Sequence, residues 1–280
     1  MTFWTATQQR RLKELGATEE QFRLSFQTSQ ERERTYQELE KLLADLGKQR
    51  LEELRTTHRR PALCRLETKL IETLTEQGFV QVVTPIILAK GLLAKMSITE
   101  DHPLASQIFW LGDNKCLRPM LAPNLYFLLK DLLRLWEKPI RIFEIGPCFR
   151  KESRGAHHLD EFTMLNLVEM GLPEEERQSH LEAFADLVMK AATIPNYQLE
   201  TTSSEVYGTT VDIVIEGFDT EMGSGAVGPH VLDRPWGIVA PWVGIGFGLE
   251  RLLMVAENKK NLKSVGRGLT YLDGVRLNIA

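Results

Sequence analysis

An α+β fold is predicted for this chain: an antiparallel sheet flanked by helices and preceded by N-terminal helices. Helical stretches and strand-like runs alternate without a β-α-β rhythm, which excludes a doubly wound parallel sheet. Residues 140–145 and 162–170 are apolar runs flanking a long polar loop, the pattern of an antiparallel hairpin with an enlarged connection. The composition, 43% apolar and 26% charged with a formal charge of −4, is that of an ordinary globular protein.

Residues 1–60 read as a helical extension, highly polar, with a narrow stripe of Tyr36, Leu39, Leu42, Leu43 and Leu46 that suits a surface helix on a larger body. By this reading the segment is too thin to form a core of its own, and residues 61–280 make the main domain. Pro61 opens a second helix with Leu63, Leu66, Leu70, Ile71 and Leu74 on one face, stopped by Gly78. The strand-like run 79–88 is interrupted by Pro85, which cannot donate to a ladder, so it belongs at a sheet edge or a subunit contact. A helix follows over 123–136. After the hairpin, Ser179 and Glu182 have capping-box spacing ahead of Leu181, Phe184, Val188 and Ala191. Val211, Ile213 and Ile215 alternate as a strand, residues 223–228 are glycine-rich, and 242–247 read as a strand feeding a helix that starts near Gly248.

No apolar run approaches the roughly 20 residues of a membrane span, and the N-terminus lacks the apolar core of a signal peptide. A cytoplasmic protein with no membrane partner is expected. Cys64, Cys116 and Cys148 are widely separated, so neither a disulfide framework nor a cysteine zinc site is indicated, and any metal is held by oxygen. Charge is uneven: residues 1–60 carry 12 basic against 10 acidic side chains, residues 61–250 carry 16 against 26, and residues 251–280 carry 6 against 2. Basic ends on an acidic middle permit contact with a polyanion at the ends.

Two segments carry chemistry. The loop 146–161 sets Arg150, Lys151, Glu152, Arg154, His157 and His158 between two strands. An arginine held at a strand end can present a fixed fork to phosphate; a solvated charged loop is the alternative. The segment 244–253 (GIGFGLERLL) has glycines that admit a ligand close to the backbone and Arg251 in the first turn of a helix, where anions are favoured. A dinucleotide loop is the alternative, weakened because no β-α-β unit surrounds it.

In this order and separation, the two segments resemble motifs 2 and 3 of the class II aminoacyl-tRNA synthetases. Motif 2 corresponds to Phe149-Arg150-Lys151-Glu152 and motif 3 to Gly244 through Arg251, while residues 61–85, ending in Pro85, resemble motif 1. Residues 117–126 (LRPMLAPNLY), 143–153, 158–170 and 241–253 narrow the resemblance to the catalytic domain of the pyrrolysyl-tRNA synthetase family. It covers roughly residues 61–280, and the total length resembles the short forms that lack an attached N-terminal tRNA-binding domain.

The resemblance implies a class II catalytic domain over residues 61–280 that activates pyrrolysine with ATP and Mg2+ and charges tRNA(Pyl). It assigns catalysis to Arg150 and Arg251, and ATP binding to these two with Glu152, His158, Phe162, Glu221, Met222, Ser224 and Gly246. Arg150 meets the α-phosphate and the amino-acid carboxylate; Glu152 reads the adenine amino group. Phe162 and Arg251 lie on opposite faces of the ring, Arg251 also reaching the γ-phosphate, and His158 lies against the triphosphate. Glu221 and Ser224 hold the metal, whose hard character suits carboxylate and hydroxyl oxygen. The amino-acid pocket is assigned to Ala122, Leu125, Tyr126, Leu129, Asn166, Val168, Tyr207 and Trp242. All but Asn166 offer apolar surface, fit for a bulky neutral Nε-acyl-lysine whose amide carbonyl Asn166 bonds, with Tyr207 closing from a hairpin.

Motif 1 implies a homodimer. The tRNA would approach the basic ends, at Arg10, Arg11, Arg32 and Arg34 of the extension and Lys259, Lys260, Lys263 and Arg267. Ile245 stands where the family usually has a small residue, and Gly223 and Gly225 flank Ser224 where Ser and Ala are frequent. These departures bear on pocket depth.

Overall fold

The structure, a computed structural model, describes residues 1–151, 159–218, 220–259 and 261–279. Three helices lead: α1 (Ala6–Leu15), α2 (Glu19–Phe22) and α3 (Ser29–Glu53), the last running into a π-helical turn, Leu54–His58. Thr5, Thr18 and Thr28 cap them by accepting backbone N–H groups of the first turn. Contrary to the expectation from sequence, this segment does form a small core. Trp4, Leu12, Ala17, Phe26 and Leu39 are buried together, the Trp4 and Phe26 rings 4.5 Å apart, and Tyr36 and Leu43 pack on them. The chain before and between the helices supplies Trp4 and Phe26, which a stripe read along α3 alone cannot show. Leu42 and Leu46 lie off that face and are about half exposed (52% and 51%).

The helix α4 (Ala62–Glu76) follows Pro61 and buries Leu63, Leu66, Leu70 and Leu74 as expected. The run after it splits at Pro85. Val80–Gln81 forms β1, while Ile87–Ala89 forms β2, which pairs with β3 (Lys115–Leu117) in a separate ribbon after a short helix α5 (Lys90–Ala94). Helix α6 (Ala122–Leu135) leads to the central hairpin, β4 (Ile140–Phe149) and β5 (Glu161–Met170), whose strands extend further into the loop than the apolar runs suggest.

Helix α7 (Arg177–Ala191) starts at the end of the turn Glu174–Glu176, not at a Ser179 cap. Ser179 sits inside the helix, its hydroxyl donating to the Glu176 carbonyl, because three consecutive glutamates already suit the positive end of the helix. Next come β6 (Gln198–Ser204), a polar strand the sequence pattern does not reveal, β7 (Gly208–Val214) and β8 (Gly223–Gly228). The glycine-rich stretch is thus a sheet strand. At Gly223 an added Cβ would come within 2.6 Å of the Phe247 ring, so close packing, not a turn, explains the glycine. The chain ends with β9 (Trp242–Gly248), α8 (Leu249–Ala256), α9 (Leu262–Val265) and the hairpin β10 (Tyr271–Leu272) and β11 (Val275–Arg276).

The main sheet has the order β1-β4-β5-β9-β8-β7-β6, with β1 parallel to β4 at one edge and every other pair antiparallel. The α+β expectation and the edge position of the Pro85 run agree with this. One face, through Phe143, Ile145, Leu165, Leu167, Val243, Ile245 and Phe247, packs on α4, α7 and α8. The other, through Ile140, Ile142, Val168, Met170 and Trp242, packs on α6 and leaves a cavity. The N-terminal helices are tied to this body by the final hairpin: Arg11 donates to Asn278, Asp273 accepts the Ala62 N–H, and Gly47 lies against Val275 and Ile279.

Candidate active site

The cavity, about 380 Å3, is floored by the central strands and has a charged end and an apolar end. At the charged end Arg150 follows β4 directly. Its Nε donates to the Pro119 carbonyl at 2.9 Å, and its guanidinium lies 5.4 Å from the Phe162 ring centroid. A buried ion pair anchors this hairpin. Arg118 Nη1 donates to Glu144 Oε1 at 2.7 Å and to Thr84 Oγ1, and its Nε donates to the Pro147 carbonyl. Glu144 also accepts the N–H and hydroxyl of Thr84, so the charges are paired and hydrogen-bonded, the condition for tolerating them in a core.

Lining the same cavity, the first turn of α8 presents Arg251, whose Nη1 donates to Glu221 Oε1 (2.6 Å) and to the Glu221 carbonyl (3.0 Å). On β8 the Ser224 hydroxyl donates to Asp212 Oδ1 at 2.6 Å, and Asp212 also accepts from Thr202 and Thr210. Because the Ser224 hydrogen is committed to Asp212, its oxygen lone pairs remain for another partner. Met222 is fully buried between these residues and lines the cavity. Beneath Arg251, Glu250 is buried and accepts from the N–H and hydroxyl of Thr163; burial pushes its carboxyl above the usual range against those bonds.

Ala122, Leu125, Tyr126 and Leu129 of α6 line the apolar end, with Asn166 and Val168 on one face of β5 and Trp242 from β9. Tyr126 stacks on Trp236 and meets Trp242 edge-on, and Tyr207, at the tip of the β6–β7 hairpin, lies edge-on to Trp242 at 6.2 Å. Burial raises both tyrosine hydroxyls well above their usual pKa, so they are neutral donors. Asn166 pairs with Gly246 across β5 and β9, and a Cβ at Gly246 would lie 2.9 Å from Asn166 Oδ1. The glycine keeps the amide open to the cavity. The Asn166 side chain makes no hydrogen bond among the described residues and is the only carboxamide lining the cavity among them.

Residues 45–272 match the family described as tRNA synthetases class II core domain (F). A solved structure, the pyrrolysyl-tRNA synthetase from Desulfitobacterium hafniense, is similar at 59% identity and TM-score 0.94, over 100% of this chain and 99% of that one. The chain belongs to the pyrrolysyl-tRNA synthetase family, within class II. A second structure of a D. hafniense pyrrolysyl-tRNA synthetase is similar at 57% identity and TM-score 0.91, over 99% of this chain and 96% of that one. Among curated relatives, a lysine–tRNA ligase of Baumannia cicadellinicola is 38% identical over 103 residues, 36% of this chain. That match takes in 18% of that ligase's own length, as expected where only the motif-bearing core of the class is shared.

This member of the family brings together in one cavity all the residues expected from sequence that the structure describes. Glu152, His157 and His158 lie outside the described residues. Expectations about pocket depth change, however. Ile245 faces the helix side of the sheet and is buried there, while its neighbours Gly244 and Gly246 line the cavity. Gly225 stands opposite Ile245 in the ladder, and an added Cβ there would meet Ile245 and Leu181 at 3.1 Å. The bulk of Ile245 is thus accommodated by the missing side chain at Gly225, whose backbone lines the cavity while its Cβ position faces Ile245 and Leu181 on the helix side. Asp212, Asp233 and Glu205 were missed from sequence. Asp212 alternates with Val211 and Ile213 as any solvent-facing strand residue would, Asp233 sits in an irregular turn, and Glu205 is an exposed side chain at the cavity rim.

Proposed function

We propose that this synthetase activates pyrrolysine with ATP and transfers it to the 3′ end of tRNA(Pyl), accepting bulky Nε-acyl-lysine side chains. One observation carries the reading: a single cavity is lined both by the two arginines, Arg150 and Arg251, and by an apolar set whose one carboxamide among the described residues is Asn166. An amino-acid carboxylate oxygen attacks the α-phosphorus, pyrophosphate leaves, and a terminal tRNA hydroxyl then attacks the carbonyl carbon and releases AMP. Arg150, held by Pro119, forks between carboxylate and α-phosphate where negative charge crowds, and so acts by position and charge. Phe162 and Arg251 sandwich the adenine, Arg251 reaching the γ-phosphate. Glu152 and His158 are assigned to the adenine amino group and the triphosphate, and Met222 and Gly246 to the nucleotide wall.

Mg2+ fits Glu221 and Ser224, because a carboxylate and a hydroxyl with free lone pairs are hard donors, and when bound it offsets phosphate charge. Asn166 takes the acyl carbonyl while Tyr207 covers the distal ring. The exposed apolar run Val80, Val83, Ile86 and Ile87, from β1 to the start of β2, supports a homodimer. The helical extension, residues 1–60, and the basic C-terminal segment contact tRNA. Arg10 and Lys263 are exposed there, whereas Arg11 is already paired with Glu40 and Arg267 with Glu161, and Lys259 is half-buried.

The test is amino-acid-dependent ATP–pyrophosphate exchange with pyrrolysine, an Nε-acyl-lysine, lysine and phenylalanine. Exchange with the first two alone is expected. Exchange with phenylalanine would move the chain elsewhere in the class, and exchange with lysine would mean that Glu205 at the rim draws an ammonium inward.

A further inference from the structure

Asp233 is almost fully buried, in the turn Val231–Trp236 between β8 and β9, behind the apolar end of the cavity and outside its lining. Its carboxylate takes three donors. The Tyr126 hydroxyl donates to Oδ1 at 3.0 Å, the Trp242 indole N–H to Oδ2 at 2.9 Å, and the His230 backbone N–H to Oδ2 at 2.6 Å. Two of these three belong to aromatic walls of the cavity, one on α6 and one on β9. The Tyr207 ring, at the tip of the β6–β7 hairpin, lies edge-on to the Trp242 ring at 6.2 Å and to the His230 ring at 5.8 Å, so the tip packs on two residues whose N–H groups Asp233 holds.

We propose that Asp233 is a positioning residue for the amino-acid end of the site. It fixes the Tyr126 and Trp242 rings directly and, through the edge-on contacts of Trp242 and His230, holds Tyr207 and the tip of the β6–β7 hairpin over the cavity. The inference rests on the proposed amino-acid site. A carboxylate that merely capped its own turn would need only the His230 contact; the bonds to Tyr126 and Trp242 reach two other elements and meet at the wall that shapes the side-chain end. The nucleotide end has no contact with Asp233. Losing the charge therefore acts on the amino acid and spares ATP.

The experiment uses the full chain as wild type, Asp233→Asn, Tyr126→Phe and the double variant. Pyrophosphate exchange is measured with pyrrolysine and ATP varied separately, and backbone hydrogen exchange is followed over residues 204–208 without substrate. For Asp233→Asn we expect the KM for pyrrolysine to rise about tenfold, the scale of one charge-assisted bond, with the KM for ATP within about twofold. The hairpin tip should exchange faster in Asp233→Asn, which loosens both Trp242 and His230, and stay near wild type in Tyr126→Phe, which breaks only the α6 bond. The KM for pyrrolysine should rise less in Tyr126→Phe than in Asp233→Asn, and the double variant should be little worse than Asp233→Asn alone, because the Tyr126 bond is already weakened there. The inference is overturned if Asp233→Asn only lowers the melting temperature, if it raises both KM values alike, or if it leaves the hairpin as protected as in wild type. Should Asp233→Asn not fold, Tyr126→Phe decides, since it leaves the turn cap and the Trp242 bond in place: an unchanged KM for pyrrolysine overturns the inference. A wild type inactive with pyrrolysine would instead sink the proposed function, and hairpin protection in Asp233→Asn would still judge the contacts.

Discussion

The two ends of the cavity are built by opposite means. At the charged end the working side chains are polar, partly exposed and steered by hydrogen bonds: Arg150 by the Pro119 carbonyl, Arg251 by the carboxylate and carbonyl of Glu221, Ser224 by Asp212. At the apolar end they are aromatic or aliphatic, deeply packed, and oriented by a carboxylate that never reaches the cavity. Charge chemistry tolerates little change of residue type but needs few neighbours. A hydrophobic wall tolerates many residue types and depends on every neighbour for its shape. Changes at the charged end should therefore abolish turnover, and changes at the apolar end should redistribute substrate preference.

The largest effect is expected at Arg150. Arg150→Ala should lower kcat/KM for exchange by about 10^3-fold, because a fixed charge at the crowded phosphate is lost. Arg150→Lys should recover only part of it, since an ammonium cannot fork between two oxygens. Steady-state exchange checks both, and full activity in the lysine variant would show that charge alone, without geometry, serves this end.

Next comes Asn166. Asn166→Ala should raise the KM for an Nε-acyl-lysine by about 10- to 100-fold, the scale of one or two net hydrogen bonds lost to a buried amide. The KM for ATP should not move. An equal rise in both KM values would mean that the two ends are not separable, and the contrast between them would fail.

The same contrast explains what could be read from sequence. Arg150 and Arg251 were legible because each lies in a short, spaced pattern in which glycine, arginine and glutamate have few substitutes. The hairpin carrying Arg150 was legible from two apolar runs flanking a long polar loop. Asn166 stood out as a polar residue among Leu165, Leu167 and Val168. Asp233 and Asp212 were not legible, because their partners lie on elements distant in sequence, and nothing local marks an aspartate whose acceptors are all used. The N-terminal core was missed for a related reason. Trp4, Phe26 and Leu39 are joined by packing between segments, whereas periodicity reports one helix at a time. The β6 strand escaped because its burial is slight and its residues are polar.

A smaller effect is expected from Asp212→Asn, again at the charged end. The asparagine can offer an N–H to Ser224 where the aspartate only accepts, so the Ser224 hydroxyl loses its fixed direction. Outer-sphere changes of this kind weaken metal binding by about 10- to 100-fold. Titrating Mg2+ against ATP binding by calorimetry checks this without turnover. Unchanged Mg2+ dependence would remove Ser224 from the set of ligands.

The smallest effect on activity should come from the helix-facing side of the same strands. Gly225→Ala places a Cβ 3.1 Å from both Ile245 and Leu181, an overpacking expected to destabilise by about 1–3 kcal/mol. Ile245→Val removes one methyl group at a cost of about 0.5–1.5 kcal/mol. The double variant should be more stable than the sum of the two losses, because a side chain freed of Cδ1 can give way more easily at Cγ1, the atom 3.1 Å from the added Cβ. Chemical denaturation measures the coupling, and exchange kinetics should show the KM for pyrrolysine within about twofold of wild type in all three, since the altered side chains lie on the far side of the sheet from Asn166 and Val168. A tenfold change in that KM would mean that the sheet transmits packing strain from one face to the other. Pocket depth would then depend on Ile245 after all, through the backbone of β9.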